Sequence, residues 1–241
     1  MAMQNNSAVM PLSFSRLSTF EQCPAQFDYL YVSKRVQSTS NEAADYGDRV
    51  HKLLEAYGRC ATDDERALMR GTASLEGKQT LDSWAGMVDK ILARSGDKLF
   101  EHQMAVNADL RPTGWFDKDV WIRSIADVLV IDGSTAYCLD YKTGKVKDNP
   151  TQLQLFAAMV MWHYPEVQTV KTSFIWLRFN ELTNVTYERR FLAPLWNALS
   201  PRFYAVQETI DLGVFKTKPS GLCPWCPAQA LCPDARLKRK R

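Results

Sequence analysis

Apolar residues recur at helical spacing through the first sixty positions and give way to strand-like runs after position 119. Residues 14–31 carry Leu17, Phe20, Phe27 and Leu30 at helical spacing behind Ser13 and Ser15, both good N-cap types, which predicts a helix. Residues 46–57 predict a second, with Val50, Leu53, Leu54 and Tyr57 at i, i+3, i+4 and i+7. Residues 62–98 read as helical but polar, with Gly71, Gly77 and Gly96 as breaks. The stretch 119–131 (DVWIRSIADVLVI) is rich in β-branched and aromatic types, Asp132-Gly133-Ser134-Thr135 offers a turn, and 136–142 (AYCLDYK) returns as a strand. Strands at 167–179 and 185–191 and a helix at 151–163 complete the expected core; Pro201 should break a last helical stretch at 194–212.

The hairpin carries the candidate chemistry. With Gly133-Ser134 at the centre of a type II′ turn, paired residues sum to 267, which sets Asp127 directly across from Asp140. Lys142 projects from the face of Asp140, because the strand period is two. Leu129, Ile131, Ala136 and Cys138 flank them on one face, with Val128, Val130, Tyr137 and Leu139 on the other, as in a strand pair buried on both sides. Two acids that close repel unless a cation lies between them, and burial makes them costly without a function. The bland alternative is a structural Asp–Lys ion pair at a strand end; with Asp132-Gly133 central, the acids become diagonal neighbours instead.

Composition narrows the setting. A chain of 241 residues, 46% hydrophobic and 24% charged, fits a soluble globular protein of one large domain or two small ones. No apolar run approaches the roughly 18 residues that span a bilayer. The net charge of +3 permits a polyanionic partner without indicating one. The tail Arg236-Leu237-Lys238-Arg239-Lys240-Arg241 would hold phosphates by charge, or is simply solvated. The opening residues lack the pattern of a signal peptide, so a reducing cytoplasm is expected.

Four of the six cysteines precede proline: Cys23, Cys223, Cys226 and Cys232. A C-x2-C-x5-C cluster plus one distant cysteine suits four thiolates converging on a metal centre, and proline stiffens such a loop. Spacing alone leaves an iron-sulfur cluster, zinc and disulfides open. Cys60 and Cys138 read as ordinary buried thiols.

Asp127 followed by Asp140-Tyr141-Lys142-Thr143-Gly144 resembles the D…(D/E)-x-K-T-G core of the PD-(D/E)xK nucleases, and specifically of the RecB-like exonucleases. Upstream, residues 46–55 (YGDRVHKLLE) are similar to that group's G-x-x-x-H-x-x-L-E helix, and Gln152-Leu153-Gln154-Leu155-Phe156 to its Q-x-x-x-Y helix, with phenylalanine for tyrosine. Ala126 stands immediately before Asp127, where many relatives have a G-x-x-D pattern. The terminal cysteines resemble the iron-sulfur branch, which includes the CRISPR-associated RecB-like nucleases and the AddB nuclease domain.

The resemblance implies an α/β, restriction-endonuclease-like core with a central mixed sheet flanked by helices, plus an iron-sulfur subdomain joining the N- and C-termini. One nuclease domain would span 1–241: the iron-sulfur staple at 12–31 and 213–233, the core at 46–192 and a basic tail at 234–241. Cys23, Cys223, Cys226 and Cys232 would bind a 4Fe-4S cluster as a structural staple. His51, Asp127, Asp140 and the carbonyl of Tyr141 would bind Mg²⁺ or Mn²⁺; oxygen ligands suit both ions, and an imidazole tilts the preference to Mn²⁺. Lys142 would orient or deprotonate the attacking water, and Gln152 would steady that water or the scissile phosphate. Glu101 is an additional candidate ligand, while His102 and His163 read as ordinary. The implied activity is that of a metal-dependent DNA exonuclease acting on single-stranded DNA or duplex ends in recombination, repair or CRISPR adaptation, in a bacterial, archaeal or phage-infected cytoplasm, with a recombination or CRISPR-adaptation protein as a candidate partner. The rivals are an iron-sulfur DNA-binding scaffold without turnover and a structure-specific endonuclease.

Overall fold

Gly133 takes a positive φ of 57°, the backbone a tight hairpin requires, and it fixes the register on either side. In a computed structural model that describes residues 10–37, 41–146 and 150–235, β2 (Val120–Asp132) returns as β3 (Thr135–Lys142) through pairs from Asp132↔Thr135 to Val128↔Leu139. These pairs follow the expected register.

Five strands form one mixed sheet in the order β1-β2-β3-β4-β5. The first, β1 (Asp97–Asn107), β4 (Thr169–Trp176) and β5 (Glu181–Glu188) complete it. Neighbours are antiparallel except β3 and β4, which α6 (Thr151–His163) connects as a parallel crossover. α6 is buried almost all round and packs across all five strands. The opposite face carries α3 (Glu42–Arg59) and α5 (Leu75–Leu92), whose Val50, Leu54, Tyr57, Leu81, Val88 and Ile91 pack with Val128, Val130 and Tyr141. Between them, α4 (Asp63–Thr72) starts at a capping box of Thr62 and Glu65.

The chain falls into two compact units, one of Met1–Pro11 with Asn41–Leu195 and one of Leu12–Ser40 with Trp196–Arg241. In the second, α1 (Phe14–Gln22) ends at Cys23, and Pro24 opens a short α2 (Pro24–Phe27) that continues into a π-helical turn at Asp28–Val32. No helix of the described residues is long and apolar enough to cross a membrane.

Four expectations need correction. β1 was not foreseen, and residues 97–98 belong to it rather than to the polar helical stretch. The helix expected at 14–31 is interrupted at Cys23-Pro24, because proline cannot donate the bond that would continue the preceding helix. Pro201 does not break α7 (Leu192–Leu212). Trp196 and Leu199 before it, with Phe203 and Val206 after it, are buried, and that packing offsets a penalty of about 3 kcal/mol. The strand expected at 185–191 begins earlier, at Glu181, after the left-handed Asn180. The basic segment 236–241 lies outside the described residues.

Candidate active site and cysteine centre

The β2–β3 ladder stops at Val128↔Leu139, so Asp127 and Asp140 stand at its next step. Beyond the last rung, the Tyr141 N–H donates to Asp127 Oδ2 at 2.5 Å. The β1–β2 ladder is also interrupted there: pairing runs Phe100↔Val128 and then His102↔Ala126, leaving Glu101 and Asp127 between rungs. Glu101 has a φ of 47°, a left-handed conformation unusual for a residue with a side chain, and it brings its carboxyl towards Asp127. α3 adds His51, whose Nδ1 lies 3.2 Å from Asp127 Oδ1 and whose ring meets Tyr141 edge-on at 5.8 Å. One ligand atom from each of His51, Glu101 and Asp127 falls within 4.8 Å of the others, the only such trio among the described residues.

Asp140 stands outside that trio, in a closed triangle of side chains. Gln152 Nε2 on α6 donates to Asp140 Oδ1 at 3.0 Å, and Lys142 Nζ donates to Gln152 Oε1 at 3.0 Å. The Lys142 ammonium also lies 2.5 Å from Asp140 Oδ2 as an ion pair. Phe174 supports the ammonium from below, with the nitrogen 5.0 Å from its ring centre. Of the residues that the resemblance implies, the fold links His51 to Asp127 and links Asp140 to Gln152 and Lys142. Tyr141 contributes its amide, its ring is buried, and burial with the nearby Asp127 charge raises its hydroxyl's pKa.

Crowded acids in a dry place hold protons. Burial, then the charges of Asp127 and Glu55, raise the Glu101 pKa to about 7. Burial also raises that of Asp140 to about 6; Asp127 adds to the rise and Lys142 opposes it. For His51, burial disfavours the charge, yet the hydrogen bond and charge of Asp127, helped by Asp140, outweigh it and raise the pKa. The three carboxyl groups outnumber the single Lys142 ammonium, and the carboxylate–imidazole trio offers donors of the kind a divalent cation takes.

Phe156 is 1% exposed within α6, so the residue that departs from the expected tyrosine is part of the core. His102 and His163 have ordinary partners: Tyr164 Oη at 2.8 Å and the Met159 carbonyl at 2.9 Å.

In the other unit, Cys23, Cys223, Cys226 and Cys232 are free, half-buried thiols that line one cleft. Short turns present them: Cys23 precedes α2, Cys223 opens a 3-10 turn at Cys223–Trp225 that Cys226 closes, and Cys232 ends another at Gln229–Leu231. Amide groups point at the sulfurs. Lys218 N–H donates to Cys23 Sγ at 3.4 Å and Ser220 N–H to Cys223 Sγ at 3.2 Å. Burial, then the neighbouring Cys23, Cys232 and Cys223, raise the Cys226 pKa, while the Ala228 amide opposes them. Across the two chain segments, Arg202 holds Glu21 with paired bonds of 2.6 and 2.7 Å, and Tyr29 Oη donates to the Leu231 carbonyl at 3.3 Å. Cys138 is fully buried as expected, but Cys60 is only half-buried, because it ends α3 at the surface with its thiol turned back to the Ala56 carbonyl.

A family model described as the PD-(D/E)XK nuclease superfamily matches residues 11–233. Among solved structures, one described as "Putative exonuclease" from Eubacterium rectale is similar in fold, with a TM-score of 0.53 and 14% identity over 100% of this chain and 96% of that one. Another, described as SSO0001, has a TM-score of 0.41 and 11% identity, covering 97% of this chain and 91% of that one. No curated protein matches the sequence.

Proposed function

The chain belongs to the PD-(D/E)XK nuclease superfamily, and from that premise we propose that it is a metal-dependent DNA exonuclease acting on single strands or duplex ends. The supporting observation is the junction at the end of the β2–β3 ladder, where His51, Glu101 and Asp127 converge beside the Asp140–Gln152–Lys142 triangle. Mg²⁺ or Mn²⁺ held by His51, Asp127, Asp140 and the Tyr141 carbonyl, with Glu101 as a further ligand, would supply charge relief at the phosphate and acidify a water.

The protein's own groups do the rest. Lys142, fixed by Gln152 and Asp140 and backed by Phe174, holds the attacking water in line, and once it has given up its own proton its neutral amine takes up that of the water. Gln152, anchored on a buried helix, sets the angle of the Asp140 carboxyl and the reach of the ammonium. One P–O bond forms to the water oxygen as another breaks, and the leaving oxygen takes its proton from solvent.

We further assign the four cysteines to a 4Fe-4S cluster that staples residue 23 to 223–232. Amide donors aimed at two of the sulfurs suit thiolates.

The test is digestion of end-labelled single- and double-stranded DNA by anaerobically purified protein with Mn²⁺ or Mg²⁺, beside Asp140→Ala and Lys142→Ala. Activity confined to the wild type supports the reading, and equal activity in all three would assign it to a contaminant. Cutting of closed circular single-stranded DNA would replace the exonuclease with an endonuclease. An inactive but brown, DNA-binding wild type would favour the scaffold.

A further inference from the structure

The helices on the α3–α5 side leave the β4–β5 part of that sheet face open. The face is laid out in rows by register: Tyr137 beside Lys171 beside Thr186, then Leu139 beside Ser173 beside Asn184. Together with the end of α5 these residues line a groove of ≈ 560 Å³. Lys90, Arg94 and Lys171 give it three cations, and no acidic side chain lines it. Acids close by are engaged elsewhere: Asp89 binds the Tyr57 hydroxyl at 2.9 Å and Arg70 at 3.3 Å, and Glu188 pairs with Arg190 at 2.7 Å. Arg94 and Lys171 lie over the same Tyr137 ring, 4.5 and 5.4 Å from its centre. A tyrosine thus gathers two like charges that no carboxylate in the groove separates. Lys90 and Arg94 also complement the C-terminus of α5, but Lys171 comes from β4, across the groove, where that explanation does not reach.

We propose that this groove binds a nucleic-acid strand by its phosphates, with Ser173 and Asn184 as hydrogen-bonding groups on the floor. Tyr137 and Leu139 alternate with Asp140 along β3, so the groove and the carboxylate of the candidate active site lie on opposite faces of the sheet. The strand held there is therefore remote from the bond being cut: either a continuation of the substrate or its complement. The choice of nucleic acid over an acidic protein rests on the nuclease reading above.

The experiment uses the full chain with its cysteine centre intact. Binding of a long labelled oligothymidylate is followed by anisotropy against salt in EDTA, and hydrolysis of that oligonucleotide and of a trinucleotide is followed with Mn²⁺. For Lys90→Gln/Arg94→Gln/Lys171→Gln, the slope of log K against log salt should shrink by about 2, since single strands give roughly 0.7 per phosphate contact. The trinucleotide should be hydrolysed as by the wild type. Lys171→Gln alone, which spares the end of α5, should remove about 0.7 of slope, and an unchanged melting temperature shows that it folds. An unchanged slope in both variants overturns the proposal, as does equal loss on the trinucleotide. Loss of polyglutamate binding with oligothymidylate binding intact also overturns it, in favour of an acidic protein. A wild type that cuts neither DNA while the slope still falls would leave the groove standing and remove the nuclease reading.

Discussion

The acidic site and the cysteine centre solve the same problem, gathering polar ligands, by opposite means. The first is assembled by a sheet: Asp127 and Asp140 are placed by a hairpin with a two-residue turn, and their positions follow from strand register before any ion arrives. The second is assembled by turns of three or four residues separated by about two hundred positions of chain, and hydrogen bonds such as Arg202–Glu21 hold the segments. A scaffold of strands can carry unfavourable charge, as the raised pKa values of Glu101 and Asp140 attest. On the proposed reading, a ligand at the turns would contribute directly to their folding.

The sharpest division of the two is expected from Asp140→Asn and Lys142→Ala. Each should lower Mn²⁺-dependent hydrolysis by about 10²–10⁴-fold, the range of a lost acid–base group, with the visible spectrum of the cysteine centre unchanged. Loss of colour with loss of activity would mean that the sites are not independent. Next comes Cys226→Ser, expected to bleach the brown absorbance and to cost about 2–5 kcal/mol in denaturant unfolding, as for removal of a cross-link closing a long loop. Binding of Mn²⁺ at the acidic site should persist. A colourless wild type of full stability, purified without oxygen, would remove the distinction.

A smaller effect follows from protonation. Glu101 and Asp140 bind protons more tightly folded than unfolded, so their contribution to stability is fully present below about pH 4 and is lost as pH rises through 6 to 7. Melting temperatures of metal-free protein should fall across that window and recover on addition of Mn²⁺. A flat profile from pH 4 to 8 would contradict the crowded-acid picture. The least expected effect is that of Phe156→Tyr, which buries a hydroxyl at a 1% exposed position. It should cost about 1–3 kcal/mol and leave hydrolysis per folded molecule unchanged.

The sequence was most readable where local chemistry dictates geometry. Gly133 at a positive φ forces the turn, the turn forces the register, and the register carries Asp127, Asp140 and Lys142 to one end of the sheet. β1 was opaque because Lys98, Glu101, His102 and Gln103 break the alternation of an edge strand that pairs on one side only. With it went the position of Glu101, and the signal that could have found it was Gly96, whose φ of 88° turns the chain between the end of α5 and the strand. Pro201 misled for the opposite reason: a strong local rule yields to the burial of Trp196 and Phe203. The groove beside Tyr137 had no linear signature, since its cations come from α5 and β4, some eighty positions apart.

The left-handed backbone at Glu101 sets stability against purpose at a single codon. Glycine or asparagine there would relax the main chain by about 1 kcal/mol while deleting a carboxylate from the junction. A laboratory lineage selected only for heat tolerance should therefore accumulate replacements at position 101 and grow sturdier as it loses its grip on the cation. Selection for catalysis in the same lineage should keep the awkward glutamate.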